Sequence, residues 1–126
     1  MTAGATFAAL AVILGAFGAH ALKARLTPDQ LAVFETGVRY HFYHSFALLI
    51  TGIAFMAFPH KNLKTATTFF MIGIALFSGS LYTMTLMHLA GPDKSIGAAG
   101  IMTPIGGVFF ILGWVFLLSG ILKTNK

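Results

Sequence analysis

The sequence predicts an all-α integral membrane bundle of four transmembrane helices, with a short amphipathic segment before the second. Three observations predict it. Hydrophobic residues are 57% of the chain and charged residues only 9%, with a mean hydropathy of +0.86. A soluble domain usually carries about 25% charged residues, and a chain this small could not bury so much apolar side-chain surface in water. Four apolar stretches approach the roughly 20 residues that a helix needs to cross a bilayer. The cations sit singly between those stretches, as membrane flanks do.

The spans fall at about 3–22, 42–58, 66–90 and 101–122, within a single domain covering 1–126. The first, Ala3 to Leu22, is closed by Lys23 and Arg25. Ala19-His20-Ala21 has the small-x-small form of a signal-peptide cleavage site. However, no Lys or Arg precedes Lys23 and the apolar run is longer than a usual signal core, so retention is expected. Thr27 is placed to cap a helix with Pro28 at its first position. Leu31 to Arg39 is amphipathic, with Leu31, Phe34 and Val38 on one face. It reads as an interfacial segment leading into the second span, which Pro59-His60-Lys61-Asn62 ends. After the third span, Gly91-Pro92-Asp93-Lys94 is a strong turn signal. Ser95 to Gly100 reads as loop or a short turn before the fourth span, which Lys123 and Lys126 close.

Four spans put both termini and the Pro59–Lys64 loop on one side. Lys and Arg tie at four on each side: Lys61, Lys64, Lys123 and Lys126 against Lys23, Arg25, Arg39 and Lys94. If Arg39 is drawn into the bundle, the balance favours cytoplasmic termini. The expected location is the inner membrane, multi-pass, with the lipid bilayer as the first partner. A homo-oligomer or a membrane-complex partner is compatible with the pattern. Nucleic acid is not, because the Lys and Arg residues form no basic face. The chain has no cysteine, which excludes disulfides, thiolate metal sites and a thiol nucleophile. There is no G-x-S-x-G, phosphate-binding loop or dinucleotide fingerprint. The expectation is therefore no enzyme, no catalytic residue, no metal and no cofactor.

In lipid, helices associate where small residues let backbones approach. Ala11, Gly15 and Ala19 recur at steps of four, while Gly4, Ala11 and Gly18 recur at steps of seven. Gly106, Gly113 and Gly120 form a second stripe at steps of seven. Such stripes favour a left-handed crossing. Gly15, Gly18, Gly106, Gly113 and Gly120 are the expected packing positions.

Polar residues gather toward one end of the expected spans. They are His20 after helix one, Arg39, Tyr40, His41, Tyr43, His44 and Ser45 at the start of helix two, Tyr82, Thr83, Thr85 and His88 late in helix three, and Thr103 early in helix four. A polar group inside a membrane helix is costly unless it finds a partner. His20, Arg39, His41, His44, Ser45, Tyr82 and Thr103 form the candidate cluster, with Glu35 positioned to bridge to Arg39 along one helix face. Three readings stand side by side. The residues hydrogen-bond between helices, with Arg39 at the interface. Alternatively, the histidines hold a metal or haem. The third reading is a pocket for a lipid headgroup, a quinone or a small anion. Trp114 falls mid-span, to pack inside or face lipid, and Ser78-Gly79-Ser80 reads as close helix packing.

GAFGAH at Gly15–His20, YHFYHSFALL at Tyr40–Leu49, FSGSLY at Phe77–Tyr82, TPIGG at Thr103–Gly107 and Gly113-Trp114 occur in that order. Together they resemble the YgdD/YwdK-like family of small bacterial membrane proteins, a domain-of-unknown-function family with small eukaryotic transmembrane relatives. The resemblance spans nearly the whole chain. It implies a four-helix membrane protein and adds little about activity. His41 stands where the family often has Gln, and Gly97–Met102 departs from its usual pattern, whereas His20 and His44 match the motifs directly. The sequence thus points to a small, non-enzymatic inner-membrane protein with a structural or accessory role, or a small subunit; the alternative is a binder of lipid, quinone, metal or haem at the His/Arg/Tyr cluster.

Overall fold

The computed structural model describes residues 1–91 and 97–124. Those residues form four helices: α1 (Thr2–Leu22), α2 (Pro28–Ala57), α3 (Lys61–Ala90) and α4 (Gly97–Thr124). By length and composition α1, α3 and α4 are apolar and long enough to cross a membrane. The expected turn at Pro92-Asp93-Lys94 lies outside the described residues.

Local chemistry sets the helix ends. Thr27 and Gln30 cap α2 reciprocally: the Gln30 amide donates to Thr27 Oγ1 at 3.3 Å and the Thr27 amide donates to Gln30 Oε1 at 3.1 Å. Pro28, at the first helical position, gives up an N–H that would have had no partner there. The amphipathic segment is therefore not a separate surface piece. It forms the first turns of a single 30-residue helix. His60 starts α3, accepting the Asn62 amide on Nδ1 at 3.1 Å. At the other end of α3, Gly91 takes φ 144°, a conformation that suits glycine and stops the helix. Gly97–Gly100, expected as loop or a short turn, is instead the first turn of α4. Pro104 sits inside α4, where it removes one backbone hydrogen bond. Two wider turns interrupt the regular pitch, at Gly18–Leu22 ending α1 and at Ile74–Ser78 in the middle of α3.

Packing follows the small residues. α1 runs antiparallel to α2. Gly4 meets the Ser45–Leu49 backbone, Gly15 meets Val38, and Gly18 lies under the Phe34 ring. α3 and α4 form a second antiparallel pair, in which small residues of one helix receive large residues of the other. Gly73 faces Phe110, Gly106 faces Phe77, Gly113 faces Phe70 and Gly120 faces Leu63. On α3 the series Leu63, Ala66, Phe70, Gly73, Phe77, Ser80 alternates steps of three and four, as does Ala99, Thr103, Gly106, Phe110, Gly113, Leu117, Gly120 on α4. A mean repeat of 3.5 residues keeps a seam on its partner. α2 joins the pairs by lying on α3, where the Ser78 hydroxyl donates to the Gly37 carbonyl at 2.7 Å. Ala47 and Leu48 of α2 enter the common core with Leu63, Ala66, Phe70, Ile74, Phe110 and Leu117. α2 and α4 meet only sparsely.

Candidate functional site

One group of polar and aromatic side chains lies near mid-length of α2. The middle of α2 carries Tyr40, His41, Tyr43, His44 and Ser45. Beside them are Phe70 and Phe77 of α3, and Phe110 and Trp114 of α4.

His44 is buried and held on three sides. Its ring lies on Phe110 with centroids 3.4 Å apart and planes 7° from parallel. Nδ1 lies 2.7 Å from the Tyr40 carbonyl, and a carbonyl only accepts, so the proton is on Nδ1. Nε2 then presents its lone pair, which accepts the Trp114 indole N–H at 3.2 Å. This bond ties α2 to α4 where the two backbones are otherwise apart. Trp114 is half-exposed, and its N–H reaches the interior.

His41 turns the other way. Its Nδ1 lies 3.0 Å from the Tyr82 hydroxyl of α3, and its ring meets Phe7 of α1 edge to face at 5.7 Å. His41 is only 2% exposed, and its Nε2 is buried without a hydrogen-bond partner, as is His88 Nδ1. The two α2 histidines are close in sequence, but their rings point to different neighbours and do not converge on one point. Among the described residues no group of three His, Cys, Asp or Glu side chains could hold a metal ion.

The expected cluster is divided by helix register. Gly18 lies opposite Phe34, and Phe34 precedes His44 by ten residues, or about 15 Å along a helix. His20 is beyond Gly18, exposed, and far along the bundle from His44. Arg39 is exposed on α2, and no ion pair joins it to Glu35. Ser45 is fully buried but donates to the His41 carbonyl of its own helix at 2.7 Å, so it does not bridge helices. Tyr82 pairs with His41 rather than His44. Thr103 shares a hydrogen bond with Ser80 across α3 and α4 at 2.6 Å.

Two polar bridges, at Ser78 and Asn62, and one aromatic contact, at Tyr40, were not singled out from the sequence. Ser78 reaches the Gly37 carbonyl. Asn62 donates to Ser119 at 2.8 Å near the other end of α3 and α4. Tyr40 packs on Phe77 with centroids 4.7 Å apart. Ser78 had a usable signal, since it lies at the small-residue FSGS stretch where a neighbouring backbone can come close. Asn62 had none, because its place beside the Pro59 break made it read as loop.

A family model described as a protein of unknown function, DUF423, matches residues 14–107. The chain is 40% identical over 123 residues to the UPF0382 membrane protein YwdK of Bacillus subtilis, covering 95% of this chain and 93% of that relative. It is 41% identical over 120 residues to the UPF0382 membrane protein SSP2132 of Staphylococcus saprophyticus, covering 95% and 93%. It is 33% identical over 115 residues to the UPF0382 inner membrane protein YgdD of Escherichia coli, covering 91% and 82%. No solved structure matches. These names carry no enzymatic role, and they agree with the apolar helices in making this an inner-membrane protein. The chain belongs to the DUF423 family of membrane proteins, whose function is unknown.

Proposed function

We propose that the chain is one four-span domain that serves the inner membrane as a non-enzymatic structural or accessory protein, or as a small subunit. One observation carries this reading: five side-chain hydrogen bonds join one helix to another. His44 with Trp114, His41 with Tyr82, Ser78 with Gly37, Ser80 with Thr103, and Asn62 with Ser119 each link two different helices. Bonds of this kind contribute about 0.6–2 kcal/mol each in membranes. Their number favours a device for holding the bundle in one arrangement. α2 supplies the fourth crossing in this reading, since 30 residues reach about 45 Å and a hydrocarbon core is about 30 Å. Its charged first turns then extend toward the interface.

An absorption spectrum and metal analysis of the detergent-purified protein test this reading against a metal or haem site. The expected result is no visible band and metal well below one ion per chain. A Soret band or a stoichiometric metal overturns it.

The orientation rests on Lys61, Lys64, Lys123 and Lys126 sharing a side with both termini. Arg39 belongs to α2, about three turns past its cap, which supports leaving it out of the loop charges. Reporter fusions at the two ends are expected to place both in the cytoplasm. Termini on opposite sides overturn the count of four crossings. Two external termini overturn the orientation alone.

A further inference from the structure

α2 and α4 both rest on α3 but scarcely touch each other, which leaves a groove of about 680 Å³ between them. Tyr40, Tyr43 and His44 line one wall; Pro104, Phe110 and Trp114 line the other. Gly107 adds no side chain to fill it. The volume lies within the roughly 300–1,000 Å³ range of small-molecule sites. The groove is at mid-length of the helices, the depth of the hydrocarbon in a four-span arrangement.

We propose that this groove binds the ring of an isoprenoid quinone. Three properties select that chemistry. The first is a set of near-parallel rings: His44 lies on Phe110 at 3.4 Å and 7°, and Tyr40 is within 18° of His44 and 25° of Phe110. Near-parallel aromatic rings give a planar ligand a surface on which to stack. The second is donor chemistry. The Tyr40 and Tyr43 side chains are 39% and 54% exposed, and neither hydroxyl has a hydrogen-bond partner among the described residues. Both nitrogens of His44 are already engaged, by Tyr40 and Trp114. At this depth no water satisfies a phenol, and leaving it unbonded is costly. An acyl chain has no acceptor to offer, whereas a quinone ring carries two carbonyl oxygens and no donor. The third is charge. No Lys or Arg lines the groove, which disfavours a phosphate headgroup. An isoprenoid tail would leave through the open, apolar side. This binding goes beyond the accessory role proposed above and does not depend on it.

Trp114 is the only tryptophan in the chain and stands on the groove wall, so its fluorescence reports occupancy directly. The full-length protein, one copy per phosphatidylcholine nanodisc, is titrated with ubiquinone-2. The expected result is saturable quenching above a linear collisional background. Geraniol, an isoprenoid alcohol without the ring, should not compete. Gly107→Leu should remove the saturable component. An added Cβ there meets only a Phe77 ring carbon at 3.9 Å, so the variant fills the groove without pressing on the fold. Tyr40→Phe with Tyr43→Phe should raise the half-saturation concentration roughly tenfold, as loss of two net hydrogen bonds implies. Thermal melts matching the wild type establish that the variants are folded. Purely linear quenching in the wild type overturns the proposal. So does displacement by geraniol, which would make the groove a general tail site. Unchanged binding by the folded Gly107→Leu or double tyrosine variant also overturns it. Loss of saturation at two copies per disc would assign the groove to a second chain and overturn it equally.

Discussion

Gly106→Leu is expected to open the α3–α4 pair at temperatures where the wild type stays folded. A Cβ at Gly106 would run into the backbone nitrogen and Cα of Phe77, atoms that no side-chain rotation can move away. Overpacking of a tight interior costs about 1–3 kcal/mol, and a clash with backbone belongs at the top of that range. Gly113→Leu presses on the Phe70 ring, which a Cβ would meet at 2.6 Å; a ring can turn, so a smaller loss of thermal stability is expected. Gly107→Leu, next door on the same helix, should melt like the wild type. Thermal unfolding in detergent, followed by helicity, gives the order. Equal melting of the Gly106 and Gly107 variants would mean that the α3–α4 seam in solution is not the one described.

His44→Ala is expected to have an effect of similar size, about 3 kcal/mol, mostly from the space left against Phe110 and Phe70. The Trp114 N–H also loses its acceptor, a smaller matter of about 0.6 kcal/mol for an average bond within a membrane bundle. His44→Phe separates the two contributions. It restores the stacked ring without the hydrogen bonds and should recover most of the lost stability. A variant as unstable as His44→Ala would put the hydrogen bonds ahead of packing. His60→Ala is the comparison. His60 caps α3, so its loss should cost about 1 kcal/mol rather than nothing. If it matches His44→Ala, the central placement of His44 is wrong.

The glycine stripe of α4 was legible because steps of seven stand out in any sequence. Its partners were not. Phe70, Phe77 and Phe110 are three of 13 phenylalanines, and hydropathy does not distinguish a ring facing a glycine from one facing lipid. The polar residues were legible one by one, but their grouping and their depth were not: His20 and Arg39 are exposed, and His41, His44 and Thr103 go to different partners. Asp29, Glu35 and Arg39 lower the hydropathy of the early turns, so the second span seemed to begin near Phe42. The Thr27–Gln30 cap was the better boundary signal, and α2 does begin there. Moving its start to Pro28 carries His44 to mid-helix and leaves His20 level with the first turns of α2. The direction of each histidine ring could not be read at all. Positions three apart share a helical face only broadly, and His41 and His44 diverge across that breadth to different helices.

The alternation of small and large residues along α3 and α4 makes the pair its own ruler. Sliding one helix by half a heptad, about 5 Å, would bring Phe70 and Phe77 against Phe110 or Leu117 and leave glycine opposite glycine. Both faults occur at once, so intermediate positions offer no compromise. The two arms therefore come to rest in one phase whatever order they enter the bilayer, and the connection between them does not have to measure the distance.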